Sequence, residues 1–348
     1  MAVIKIPPLP TERDNELVRR FRVTLNYLQD LSYYLRHIYG SKLYAGITGA
    51  LATHRAFLKL QRRQLGPRSL DQIQRHLEIA WVAELVLRMP AIVGEGRAFR
   101  VTNAWAPVHS YYAVNMALQA WFDANGMRGI ADDHTATLRS ISAQIKDRTL
   151  FPLPWSLLCE GNPFISGGCS YIHEPRPGLC SAKIEVLSIP VGLPGGFSED
   201  DFFARMGTWL RTTRLARLKS REDDWKRKNN RSKMDSKLRK QYVANLHPTS
   251  LFDCLWRMRI RSNYRSVETY LVRYVGDQDA EQYHQALVRV TRATLCLLES
   301  YIARLIGVAA FAAIAKSFIG QDVHGLAKQT VGRRLPPVVQ AARAAGQP

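Results

Sequence analysis

Apolar residues recur every three to four positions along most of this chain, which is the period of α-helices that bury one face. The first such stretch predicts a helix over Glu12–Tyr39, with Thr11 as its N-cap and Gly40 as its stop. The same pattern predicts further helices over residues 47–64, 69–88, 108–125 and, from Asp132 or Asp133, to residue 148. Gly66-Pro67 and Met89-Pro90 are expected to end the second and third helices, and residues 91–107 are expected to be irregular.

The pattern changes at Leu150, where a stretch rich in proline and glycine excludes long helices until about residue 197. Partial alternation of apolar residues predicts a strand over 181–191, with 164–173 as its partner. Helical spacing returns over 199–218 and 233–246, with a mobile centre expected at Lys228-Asn229-Asn230. It then continues over 248–318, and we expect a frayed tail after Gly320.

These elements predict a mainly α-helical fold that carries a small β-containing insertion. The predicted units are N-terminal helices with half of a bundle (1–149), the insertion (150–198), a basic helical segment (199–247), the second bundle half (248–320) and a flexible basic tail (321–348). The most apolar stretch, residues 305–315, is too short to cross a bilayer, so no membrane is expected. Five cysteines and no visible secretory signal favour the cytoplasm.

Positive charge is concentrated between Arg211 and Lys240, where 13 Lys and Arg face 4 Asp and Glu. This net charge of +9 is nearly half of the +20 carried by the whole chain. Such a block repels itself unless a polyanion is near, and nucleic acid is the first candidate because phosphate neutralisation releases counterions. The alternative is a solvated basic loop.

Two helical stretches carry a family resemblance. The first runs from Val108 to Gly126, contains Tyr111-Tyr112-Ala113 and an alanine-rich face, and is followed by Asp133-His134. The second is the arginine-rich 255–264, followed by a long helix over 279–307. Together, over roughly a quarter of the chain, they resemble the HEPN superfamily of small four-helix domains from bacterial toxin–antitoxin and anti-phage systems. The resemblance implies a HEPN-like bundle interrupted by a large insertion, RNA as the ligand, a cognate antitoxin or defence protein as partner, and a homodimer.

Ribonucleases of this superfamily use an Arg-x(4–6)-His motif near the start of the last helix. A histidine can exchange a proton with a ribose 2′-hydroxyl, and an arginine can hold the phosphate. At the matching place this chain has arginines but no histidine before His284. Arg128 and His134 have the required spacing before a middle helix and are the candidate catalytic pair. His109, or an arginine and a histidine that meet only in space, is an alternative, and His134 could instead only cap its helix.

Further arginines could contact nucleic acid. Arg257, Arg261 and Arg265 repeat at intervals of four and share a helix face, with Tyr264 beside it, which suits phosphate contact and base stacking. Ion pairs with Asp253, Glu268 or Glu281 are the alternative role. The predicted nucleic-acid-binding residues are Arg214, Arg217, Lys226, Arg227, Lys228, Arg231, Arg257, Arg261 and Tyr264.

Cys159, Cys169, His173 and Cys180 could hold zinc in the insertion, but the tight Cys-x(2)-Cys spacing is absent, so ordinary thiols are favoured. No cofactor motif is visible. The leading hypothesis is therefore a nucleic-acid-binding HEPN-like protein. The alternatives are a metal-independent ribonuclease and an adaptor that docks an acidic protein.

Overall fold

A computed structural model of the chain describes residues 11–93, 96–127, 133–148, 150–165, 167–172, 198–265, 267–269, 275–322 and 324–344. These residues are mainly helical, as predicted. The α-helices are α1 (Glu12–Tyr39), α2 (Leu43–Leu51), α3 (Arg55–Leu58), α4 (Pro67–Val93), α5 (Gly96–Thr102), α6 (Ala106–Ala124), α7 (His134–Arg148), α8 (Glu199–Asn229), α9 (Ser236–Ala244), α10 (Leu251–Ile260), α11 (Asp277–Ile306), α12 (Val308–Gln321), α13 (Leu326–Gln329) and α14 (Val331–Ala344). The strands are β1 (Leu158–Gly161), β2 (Cys169–Ile172) and β3 (Thr249–Ser250).

Helix α11 lies at the centre of the fold. It packs against α1, α2, α5, α6 and α14, and from Leu295 to Ile306 every one of its residues is buried. Helix α6 joins it to α4 and α10. The alanine face of α6 contains Ala113, Ala117 and Ala120, all fully buried, and small side chains allow helices to approach closely.

Helix α1 confirms the sequence prediction at both ends. Thr11 and Asp14 form a reciprocal capping box, so two of the first-turn donors are satisfied. Gly40 follows the last turn with a φ of 75°, a region that L side chains rarely adopt.

Three predictions in the N-terminal third are wrong. The single helix over 47–64 is divided into α2 and α3, because His54 is extended and the chain turns there so that Phe57 can pack edge-on against Tyr301. The third helix does not stop at Met89-Pro90. It continues to Val93, because the buried ring of Pro90 packs into the interior and tertiary packing outweighs the lost backbone donor. Residues 96–102, expected to be irregular, form α5.

The sheet is antiparallel with the order β2-β1-β3. Leu158 of β1 is paired with Ile172 on one side and with Ser250 on the other. The predicted strand over 164–173 is thus confirmed only for β2. Its neighbour is β1, which lacks the alternation that was used to predict strands. The other predicted strand, 181–191, lies outside the described residues.

Helix α8 is attached to the bundle by aromatic stacking on α1. The rings of Tyr34 and Phe202 lie 3.8 Å apart and nearly parallel, and those of Tyr27 and Trp209 lie 5.3 Å apart. The helix continues without interruption through residue 229, so the expected mobile centre at Lys228-Asn229-Asn230 is wrong. Asn230 instead ends the helix in the left-handed conformation.

The expectation of a frayed tail is wrong for residues 326–344. Helix α14 packs on α11, and Arg334 of α14 is completely buried. Its guanidinium contacts Glu84 of α4 at 2.7 Å and Glu299 of α11 at 2.7 and 2.8 Å. Three distant parts of the chain are therefore joined by one buried ionic cluster. None of the helices in the described part of the chain combines the length and apolarity needed to cross a membrane.

Candidate nucleic-acid interface

The basic segment has two faces with different roles. Arg214 and Arg217 lie on the face of α8 that packs on the bundle and are 2% and 7% exposed. Arg214 donates from Nε to the carbonyl of Gly161 and from Nη1 to that of His247, both at 2.8 Å. It thereby ties α8 to the end of β1 and to the loop before β3. Neither arginine is available to a nucleic acid, which corrects the prediction for both.

Arg217 belongs to a buried cluster with Asp253 and His247. It forms an ion pair with the fully buried carboxylate of Asp253, whose other oxygen accepts from the backbone N–H and the hydroxyl of Ser250, both at 2.8 Å. Burial alone would raise the pKa of Asp253, but Arg217, His247 and the Ser250 N–H together lower it. The cluster is therefore charged and structural.

His247 completes this cluster. Burial lowers its pKa, against the opposing effect of Asp253. Its Nε2 lies 2.5 Å from a guanidinium nitrogen of Arg217 and 3.2 Å from the carboxylate of Asp253.

The opposite face of α8, the turn after it and α9 present the exposed cations. We call them the α8–α9 basic surface: Arg211, Lys219, Arg227, Lys228, Arg231, Lys233, Lys237 and Lys240. Only three acidic residues in the same stretch are exposed, namely Asp223, Asp224 and Asp235. Five of the eight cations lie at the end of α8, in the short turn after it and in α9, so positive charge is concentrated between residues 228 and 240.

Two cations that were predicted to contact nucleic acid, Lys226 and Arg227, are partly neutralised by nearby carboxylates. Lys226 and Arg239 both approach the carboxylate of Glu222, at 3.1 and 2.6 Å. Burial works to raise the pKa of Glu222, but its bonds to these two cations lower it overall. Arg227 is paired with Asp224. By contrast, Lys228, Arg231 and Lys233 form no ion pair with another described residue, which leaves their charge available to phosphate.

The first arginine of the α10 stripe points inward, toward α8. Arg257 donates at 3.1 Å to the hydroxyls of Thr212 and Thr213 on α8. The alternative partners considered from sequence are engaged elsewhere, since Asp253 pairs with Arg217 and Glu268 pairs with Arg13 at 2.5 Å. Arg261 begins a π-helical turn, Arg261–Arg265, and is half-buried. The side chain of Tyr264 lies outside the described residues.

A second group of candidate residues lies where α6, α7 and α10 meet. His134, the first residue of α7, places Nδ1 at 3.0 Å from the hydroxyl of Tyr111. That hydroxyl also lies 3.1 Å from the amide oxygen of Asn115, to which it donates. A phenol has one proton, so His134 Nδ1–H must be the donor to Tyr111, and the lone pair of the neutral ring lies on Nε2.

Arg259 of α10 lies beside this histidine. It donates to the hydroxyl of Tyr112 at 3.0 Å, and its guanidinium carbon lies 5.5 Å from the Tyr112 ring centre and 6.0 Å from that of Tyr111. Burial first, and then the charge of Arg259, lowers the pKa of His134. His134 is therefore neutral near pH 7 and can accept a proton.

Sequence reasoning paired His134 with Arg128, which lies outside the described residues, so that pair stays a prediction. In the fold, Arg259, 125 positions after His134, lies against the same Tyr111 and Tyr112 rings as His134 does. The signals that could have identified the group were Tyr111-Tyr112 and the arginine-rich α10, both within the resembling stretches. His109 is half-buried, and burial lowers its pKa. It makes no contact with an arginine among the described residues.

The cysteines do not form a metal site among the residues that the structure describes. Cys159 and Cys169 lie on adjacent strands and form no disulfide, and His173 and Cys180 lie outside the described residues. A hydrogen bond with Cys159 lowers the pKa of Cys169 to about 7, opposed by burial and aided by Arg214 and Arg211.

Comparison with known proteins gives no match: no family model, no curated protein and no solved structure is significantly similar to this chain.

Proposed function

We propose that this protein binds nucleic acid, with RNA preferred, through the α8–α9 basic surface. The observation that carries the proposal is the concentration of eight exposed cations against three exposed acids within residues 211–240. Phosphate contacts of this kind give affinity without sequence readout and release counterions. Lys228, Arg231 and Lys233 are the expected phosphate contacts.

The class of protein that we propose is a HEPN-like helical protein of a bacterial defence or toxin–antitoxin system, acting in the cytoplasm with a cognate protein partner. Support comes from the order of parts within the bundle. The Tyr-Tyr helix α6, the histidine that begins α7, the arginine-rich α10 and the long α11 follow one another as the resemblance implies. Helices α6, α10 and α11 also pack together, since α6 contacts both of the others.

The test is the salt dependence of RNA binding for Lys228→Gln/Arg231→Gln/Lys233→Gln. Each phosphate contact on a single strand contributes about 0.7 to the slope of log affinity against log salt, so the triple variant should flatten the slope by about 2. The matched control is Lys59→Gln/Lys316→Gln/Arg343→Gln, which removes the same charge from exposed positions elsewhere. An unchanged slope, or equal flattening in the control, would contradict the proposal.

A second candidate function is metal-independent ribonuclease activity, favoured by the meeting of His134 with Arg259. Nε2 of His134 would remove the proton of a ribose 2′-hydroxyl, so that the 2′-oxygen attacks the phosphorus and the 5′-oxygen leaves. Arg259 is buried, like Arg217, and would act through His134, whose pKa its charge lowers. His134→Ala should abolish cleavage of end-labelled RNA while retaining the circular dichroism of the wild type. Cleavage at the wild-type rate in that variant, or intact RNA with the wild-type protein, would dismiss this function.

We also propose that two copies associate through α4. Its exposed face carries a stripe of large apolar side chains at helical spacing, consisting of Ile79, Val82, Val86, Met89 and Ile92. Contiguous apolar stripes are uncommon on monomers, and a stripe along one helix can pair with itself about a twofold axis. Light scattering should give twice the chain mass for wild type and a monomer for Val82→Glu/Val86→Glu, and a monomeric wild type would contradict the proposal.

A further inference from the structure

A cavity of about 570 Å³ lies where α2, α11 and α14 meet, away from the α8–α9 basic surface. Four cations line it: Lys42 before α2, Arg289 and Arg292 of α11, and Arg333 of α14. None of the lining residues is a carboxylate. A concave site lined by charges of one sign concentrates ligands of the opposite sign.

The first turn of α2 adds a second feature that favours an anion. Lys42 occupies the N-cap position of this nine-residue helix, and an ammonium group cannot accept a hydrogen bond from the first-turn N–H groups. Leu43, Tyr44 and Ala45, whose N–H groups are left without a side-chain cap, all line the cavity. Uncapped N–H groups and the positive end of the helix dipole form a ready binding site for phosphate.

Three of the four cations around the cavity are not balanced by a carboxylate of the described residues. Arg292 lies 3.9 Å from Glu84, whereas Lys42, Arg289 and Arg333 form no ion pair with a described residue. Burial and the neighbouring cations Arg36 and Arg292 lower the pKa of Arg289, which shows that these guanidinium groups disfavour each other's charge. A bound anion would relieve that repulsion.

One wall of the cavity suits an organic group. Leu43, Val288 and Pro337 supply apolar surface. The ring of Tyr44 lies 5.2 Å from the Arg292 guanidinium, so an aromatic face and a cation adjoin in the same wall.

We propose that this cavity binds a phosphorylated small molecule of nucleotide size, with its phosphates on Lys42, Arg289, Arg292, Arg333 and the α2 N-terminus. The volume falls within the range of about 300–1,000 Å³ that is usual for small-molecule sites. This site is independent of the nucleic-acid surface, because it shares no residue with α8 or α9.

The test is isothermal titration of the full chain with ATP, inorganic triphosphate and adenosine. We expect ATP to bind more tightly than triphosphate, because only ATP also covers the apolar wall, and adenosine to bind least. Lys42→Gln/Arg333→Gln should weaken ATP binding by about tenfold or more, since both side chains are exposed and each charged contact contributes at least that much. The control Arg68→Gln/Lys316→Gln removes equal charge outside the cavity and should bind ATP as the wild type does.

Four results would overturn the proposal. The first is the absence of ATP binding at millimolar concentration. The second is an equal loss of affinity in both double variants, which would mean general charge attraction. The third is triphosphate binding as tightly as ATP, which would leave only a phosphate site. If the cavity variant instead lost RNA affinity without any nucleotide binding, the cavity would belong to the RNA surface and this inference would fail.

Discussion

Replacing Arg217 with methionine should unfold the protein more readily, although Arg217 lies in the most basic stretch of the chain. Methionine retains most of the apolar stem and removes the guanidinium. The perturbation leaves the carboxylate of Asp253, which is completely buried, without its ion-pair partner. Two hydrogen bonds from Ser250 to the other carboxylate oxygen remain.

The expected loss follows from this geometry. Removing one partner of a buried ion pair costs about 3–5 kcal/mol, because the remaining charge stays desolvated. The two Ser250 bonds offset part of that penalty, so we expect about 3 kcal/mol for Arg217→Met. Lys219→Met, two residues later on the exposed face, should change the free energy of unfolding by less than about 0.5 kcal/mol.

The pH dependence supplies an independent check. In the wild type the pKa of Asp253 is lowered, so its contribution to stability is present above the unfolded pKa of about 4 and is lost as the pH falls through the lower folded value. Without Arg217, the effect of burial should dominate and raise the folded pKa. As the pH falls, Asp253 in the variant then takes up a proton and no longer leaves a buried, unpaired charge. The difference in the free energy of unfolding between variant and wild type should therefore shrink between about pH 7 and pH 4.

Urea unfolding followed by tryptophan fluorescence measures these quantities directly. A variant within about 1 kcal/mol of the wild type at neutral pH would refute the assignment of Arg217 as the compensating charge. A difference that stays constant with pH would refute it as well. A double-mutant cycle with Asp253→Asn should show strong coupling between the two positions.

Two further predictions concern other parts of the molecule. Cys169, with a pKa of about 7, should react with iodoacetamide at neutral pH well before Cys254, because burial raises the pKa of Cys254 to about 12. Peptide mass spectrometry measures the order of alkylation, and the reverse order would contradict the prediction. Truncation after Gly325 removes α13 and α14 and leaves Glu84 and Glu299 without Arg334. The shortened chain should therefore lose its cooperative thermal transition, and a wild-type melting temperature would contradict this prediction.

Local signals predicted the helices well where caps and breakers agree with the packing. Thr11 and Gly40 delimit α1 as expected, because a capping box and a positive-φ glycine act within one turn of the chain. The helix boundary at Pro90 was wrong, since burial of the proline ring within the bundle decides it and no local pattern shows that burial.

For the candidate sites too, the sequence predicted the residue types, whereas only the fold determines which of them are exposed and which lie together. Charge counting located the basic segment but gave every cation equal weight. Arg214 donates hydrogen bonds to backbone carbonyls in three separate segments, whereas Lys228 is exposed. This difference depends on which face of α8 packs on the bundle. The pairing of His134 with Arg259 joins positions 125 residues apart, and only the fold brings them together.

The buried cluster of Glu84, Arg334 and Glu299 also bears on how the protein is made. Synthesis proceeds from the N-terminus, so the two carboxylates leave the ribosome before the arginine that neutralises them. Until residue 334 has emerged, both glutamates must remain hydrated, and helices α4 and α11 cannot close around each other. The closing of α4 and α11 around this cluster thus waits until α14 has emerged, and the apolar faces of both helices stay exposed during that interval.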